Sequence, residues 1–97
     1  MNEVLSVKVM VWKRRLFLRP NPPMAADESL LGRLVSLRVL SPRDLEGLVI
    51  LGTWERYPGK PGLGLVIALS RRWYLADLEP FRGRTLRVKL EQHELYV

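Results

Sequence analysis

Three clusters pair aromatic residues with cations. Trp12 runs directly into Lys13, Arg14 and Arg15; Trp54 and Tyr57 flank Glu55 and Arg56; Trp73 and Tyr74 follow Arg71 and Arg72. Single-stranded nucleic acids are held by this combination, because bases stack on aromatic faces while cations follow the phosphates, each stacked base contributing about 1–3 kcal/mol. The sequence therefore predicts a binding groove with Trp12, Lys13, Arg14 and Arg15 at one end and Arg56, Arg71, Arg72 and Trp73 along it. Lys60 lies in a glycine-rich connector from which it could touch a phosphate backbone, and Arg87 and Lys89 share a strand parity that either extends this basic face or covers another. The competing demand on tryptophan is the core, where its large apolar area is best buried. Trp54, beside a continuous apolar run, is expected inside; Trp12 and Trp73 fit either place.

Residues able to do covalent or acid–base chemistry are scarce. The chain has no cysteine and one histidine, His93. The segment "HEL" at 93–95 begins like a zinc-binding H-E-x-x-H helix, but that motif needs a second histidine one turn later and there is none. Asp27–Glu28 and Asp77/Glu79 read as helix-end and turn residues rather than a catalytic dyad. "PGKPGLG" at 58–64 offers glycines and a lysine yet lacks the G-K-[ST] ending of a phosphate loop, so it is expected to be a hairpin connector. The expectation is a non-catalytic protein with no metal and no cofactor.

The charge supports a binding role. Sixteen Lys and Arg against ten Asp and Glu leave a formal net charge of +6, and twelve of the sixteen cations are arginine, which forks onto phosphate. Three segments, 4–19, 56–76 and 80–90, carry cations and no acid. Brought to one face they would attract nucleic acid or another polyanion. Single-stranded DNA or RNA, bound with little sequence preference, is the expected partner. Two further readings use the same arginines: an interaction or assembly subunit docking on an acidic protein, with a homodimer through strand edges as one form, and structured RNA held through backbone contacts alone.

Short elements must position these residues. Leu5, Val7, Val9 and Val11 alternate with Ser6, Lys8, Met10 and Trp12, which predicts a strand with one face in the core and Lys8 and Trp12 on the other. "KRR" then turns or kinks the chain before "LFLR". Pro20, Pro22 and Pro23 end any strand there, leaving a proline-rich loop or short helix at about 20–32. "RLVSLRVL" at 33–40 alternates again, and "SPRDLEG" predicts a turn or two of helix, with Ser41 as cap and Pro42 at the first helical position. "LVILGTWER" at 48–56 reads as a central strand, with Gly52 marking a bulge or a close backbone approach. "LGLVIAL" follows the connector. For 71–76 the β-favouring Trp73, Tyr74 and Leu75 predict a strand. A final strand from Arg84 places Leu86, Val88 and Leu90 opposite Thr85, Arg87 and Lys89, and the apolar parity changes after "EQHE".

Ninety-seven residues, 47% hydrophobic and 27% charged, suit one folded domain spanning 1–97 with a single core. Five or six strands joined by glycine-rich turns, without β–helix–β periodicity, predict an all-β fold: a small antiparallel barrel, OB-like or SH3-like, with one or two short helices. Within residues 74–90, Leu78, Phe81, Gly83, Arg84, Leu86 and Val88 match an "L-x-x-F-x-G" turn entering a "G-[KR]-x-[LV]-x-V" strand. In this segment the chain resembles oligonucleotide-binding (OB-fold) barrels, and the resemblance implies that fold. The amino-terminal cations follow the apolar stretch rather than precede it, the reverse of a signal peptide, and no apolar run approaches the ~20 residues of a membrane helix. A soluble, cytoplasmic protein is expected.

Overall fold

The alternation of apolar residues along each strand is realised as a closed antiparallel barrel. In a computed structural model, which describes residues 2–24, 27–71 and 74–91, six strands follow in order: β1 (Asn2–Trp12), β2 (Arg15–Pro20), β3 (Leu34–Ser41), β4 (Val49–Arg56), β5 (Leu65–Leu69) and β6 (Thr85–Glu91). Around the barrel they run β1-β2-β5-β4-β3-β6, and β6 closes onto β1. Every pairing is antiparallel. The long β1 makes this closure possible: its first half, to Lys8, pairs with β6, while Val7–Trp12 pairs with β2.

One parity of each strand fills the interior. Val7 and Val9, Leu16 and Leu18, Val35, Leu37 and Val39, and Leu86, Val88 and Leu90 are buried together with Ile50, Trp54, Leu65 and Ile67. Trp54 is 2% exposed, the core position that its apolar neighbours predict. The close approach expected at Gly52 is present: a Cβ there would stand 2.6 Å from the Ala68 carbonyl oxygen and 2.6 Å from Ile67 Cγ2.

The strand expected over 71–76 is a helix where the chain is described: α1 spans Tyr74–Leu78 and continues as a 3-10 turn over Glu79–Phe81. The reason is spacing. Tyr74 and Leu78, four residues apart, lie on one helical face, and both are fully buried against the core. That burial outweighs the modest β preference of the aromatic residues. Tyr74 also satisfies the backbone of β4: the Leu51 N–H donates to its hydroxyl at 3.0 Å, and the hydroxyl donates to the Val49 carbonyl at 3.4 Å. Ser70 adds a hydroxyl-to-carbonyl bond to Leu51 at 3.0 Å, so the segment leading into α1 is tied to β4 from both sides.

The remaining connections are short. β2 keeps Pro20 as its last residue, and among the described residues of the loop that follows there is one 3-10 turn, Glu28–Leu30, capped by Asp27. The Ser29 hydroxyl and backbone N–H both donate to the Asp27 carboxylate, which holds its pKa below the ordinary value. Ala25 and Ala26 of the expected helix lie outside the described residues. Between β3 and β4 the expected helix is a single 3-10 turn, Arg43–Leu45, whose cap position falls on Pro42 rather than Ser41, because Ser41 still belongs to β3. The parity change expected after residue 91, with His93, also lies outside the described residues. Among the described residues no helix is long and apolar enough to cross a membrane.

Candidate nucleic-acid interface

The Trp-Lys-Arg-Arg stretch folds as the tip of a tight hairpin. Trp12 pairs with Arg15, so Lys13 and Arg14 alone make the turn, with φ of 47° and 63°. Two positive φ values in a two-residue loop are the pattern of the type I′ turn, whose twist matches the flanking strands and whose usual residues are Asn-Gly. For long L side chains that backbone region is disfavoured by about 1 kcal/mol or more each. The turn is therefore made by residues poorly suited to turning, and the consequence is two cations projecting at the barrel's edge.

These cations border a concavity of about 620 Å³. Lys13, Arg14 and Arg15 line it from the hairpin, Thr53 from β4, and Ser70 and Arg71 from the segment between β5 and α1, over an aliphatic floor that includes Leu69 and Leu75. Three segments far apart in sequence thus bring four cations and two hydroxyls to one cleft. Arg15 is partly neutralised, its Nη2 lying 3.1 Å from Glu55 Oε2. Among the described residues, Lys13, Arg14 and Arg71 pair with no carboxylate. Such an arrangement can hold an anion with several acceptor oxygens.

Trp12 stands beside the cleft cations. It is 39% exposed, and Lys13 Nζ lies 4.5 Å from its ring centroid. Its other neighbour comes from the β4–β5 connector, which is a loop as expected, but one that folds back over the outer face of the β1–β2 hairpin. Gly59 lies against the Trp12 ring, where a Cβ at 59 would make an ordinary contact with Cζ2 at 3.4 Å. Tyr57 packs with Met10 onto a second apolar cluster of Phe17, Val66 and Ala68. This explains why those three residues, on the outward parity of β2 and β5, are 0–1% exposed. Lys60 follows Gly59 in this loop, at the cap position of its 3-10 turn Pro61–Leu63, and does not line the cleft.

Other expected site residues are placed elsewhere or not described. Arg56 does not line the cleft; it ends β4 and pairs with Glu28 across the loop after β2. Arg72 and Trp73 lie outside the described residues. Arg87 and Lys89 project from β6, Arg87 opposite Ser41 and Ser6, Lys89 opposite Arg38 and Val4. That is the half of β1 remote from the turn, so these two are not part of the tip cleft. Thr53, Ser70 and Glu55 are not among the residues that the sequence assigns to the groove, since nothing local marks a hydroxyl or carboxylate on a neighbouring strand as facing a distant turn.

Comparison with protein-family models, with curated protein sequences and with solved structures finds no match to this chain. The functional reading accordingly rests on the residues themselves.

Proposed function

We propose that the protein binds nucleic acid, single-stranded and largely irrespective of sequence, with phosphates held by Lys13, Arg14, Arg15 and Arg71 and a base stacked against Trp12. The observation that carries this reading is the convergence of the hairpin tip and Arg71 on one cleft, next to an exposed tryptophan. Cations of this density repel one another in the free protein and are relieved by a polyanion. A backbone with a phosphate at every residue, flanked by flat bases, matches both halves of the site. A small closed antiparallel barrel is also compatible with the OB-like resemblance of residues 74–90, although it has one strand more than the five-stranded OB pattern. No acid–base pair or nucleophile enters the proposed role.

The test is fluorescence anisotropy with a labelled single strand and a matched duplex across salt, for the natural protein and for Lys13→Ala/Arg14→Ala/Arg15→Ala. Each lost phosphate contact lowers the salt slope by about 0.7 on a single strand, so the triple variant should lose about two units of slope and tenfold or more in affinity. Exposed turn charges contribute little to folding, so its melting temperature should stay near that of the natural protein. Unchanged affinity and slope would remove the tip from the site.

A second reading, docking on an acidic protein, draws on one further observation: Leu34, Val49 and Leu51 are large apolar residues left exposed on the outer parity of the β3–β4 pair. Competition separates the two. Displacement of the oligonucleotide by an acidic polypeptide at comparable concentration, with no change in tryptophan emission, would favour the docking role.

A further inference from the structure

The outward face of the β1–β2 hairpin carries a second basic group, distinct from the tip cleft. The register pairs Trp12 with Arg15, Met10 with Phe17 and Lys8 with Arg19, so an apolar rung separates two rungs that carry cations. Lys8 and Arg19 are like charges placed directly opposite, an arrangement that destabilises a sheet. A third cation joins them. Arg82, in the turn leading to β6, shares with Lys8, Arg19 and Tyr57 a shallow groove of about 260 Å³. That turn is held against β1 by two backbone bonds, Gly83 N–H to the Val9 carbonyl at 2.8 Å and Val9 N–H to the Arg84 carbonyl at 3.0 Å. Arg19 is held by the face of Tyr57, its guanidinium carbon 5.5 Å from the ring centroid.

Nothing among the described residues compensates this charge. None of those lining the groove is acidic, and none of the three cations pairs with a carboxylate. Three positive groups drawn together beside a like-charge pair repel one another, and an anion with several acceptor oxygens would relieve that repulsion.

We infer that this groove is a second phosphate site for the same nucleic-acid strand, so that the strand runs from the tip cleft past the β4–β5 loop, which covers the middle of the β1–β2 hairpin, to the groove beyond it. This rests on the nucleic-acid reading above and adds its direction and extent. Arg15 and Arg19 are four residues apart on β2, a separation of about 13 Å at roughly 3.3 Å per strand residue. The two basic rungs therefore contact phosphates of different nucleotides. The β4–β5 loop joins them, since Tyr57 lines the groove and Gly59 meets Trp12 at the tip. The inward-facing Val7, Val9 and Leu18 are buried in the barrel interior, so both strands that carry these cations are anchored in the core.

The experiment uses Lys8→Gln/Arg19→Gln/Arg82→Gln, which keeps side-chain length over Tyr57, and Arg82→Ala alone as a variant confined to an exposed turn. Each is titrated with an oligonucleotide of about three nucleotides, enough for the tip, and one of about twelve, enough for both sites. The natural protein should bind the longer strand more tightly and with a steeper salt slope. The triple variant should bind the short strand as the natural protein does, yet lose about tenfold on the long one and about two units of slope; Arg82→Ala should lose about a third of that slope. Its melting temperature should hold or rise, because the removed charges repel one another. If both variants bind the long strand with natural affinity and slope, the groove is not part of the path and the tip site stands alone. If the natural protein binds neither strand, the nucleic-acid reading itself falls.

Discussion

Arg15 Nη2 lies 3.1 Å from Glu55 Oε2, so one of the four cations lining the tip cleft is already shared with a carboxylate of the neighbouring β4. Both side chains are well exposed, and exposed pairs of this kind contribute about 0–1 kcal/mol to stability. Glu55→Gln is therefore expected to leave the melting temperature nearly unchanged while freeing Arg15. Affinity for a single strand should rise about two- to fivefold at low salt, and the gain should shrink as salt rises. An unchanged affinity in the anisotropy titration would mean that Arg15 makes no contact with the ligand.

The turn itself sets stability against binding. Lys13 and Arg14 occupy positive φ, where Asn-Gly is favoured. Lys13→Asn/Arg14→Gly should stabilise the protein by about 1 kcal/mol in urea denaturation and weaken oligonucleotide binding about tenfold. A variant that is less stable would show that these two side chains support the fold rather than a ligand.

Trp12 is exposed whereas Trp54 is buried within the barrel, so a ligand can reach the first and not the second. Trp12→Ala is expected to reduce affinity by about 1–3 kcal/mol, the range for one stacked base, and to reduce the change in tryptophan emission on binding. Undiminished affinity would limit the site to phosphate contacts.

Tyr74→Phe removes the hydroxyl that accepts the Leu51 N–H at 3.0 Å. Leaving a part-buried amide unsatisfied destabilises by about 1–3 kcal/mol, readable as a lower urea midpoint. Because α1 follows directly on the Ser70–Arg71 wall of the cleft, the same variant should also weaken oligonucleotide binding. Loss of stability with full affinity would show that the wall is held by Ser70 alone.

Gly52→Ala forces a Cβ to 2.6 Å from the Ala68 carbonyl oxygen, where backbone rather than a flexible side chain must yield. A loss of about 1–3 kcal/mol is expected in chemical denaturation, typical of overpacking in a close-packed interior. Wild-type stability would mean that β4 and β5 can separate locally at little cost.

Much of this molecule was legible along the chain because strands bury alternate residues, and that alternation depends only on local spacing. Val7, Val9 and Val11, Val35, Leu37 and Val39, and Leu86, Val88 and Leu90 marked their strands and inward faces, Trp54 its place in the core, and Gly52 its close contact. The helix at Tyr74–Leu78 departs from the strand that its β-favouring residues predict, because β propensity is a weaker force than burial of two residues one turn apart. What only the tertiary structure decided is which cations meet. Strand order brings Arg71 to the tip of the β1–β2 hairpin and Arg82 to Lys8 and Arg19, and sends Arg56 to Glu28 and Arg87 to the far half of β1. Pairings between strands distant in sequence, and a connector that folds back over Phe17, are set by closure of the whole barrel, and no local pattern of residue types encodes them.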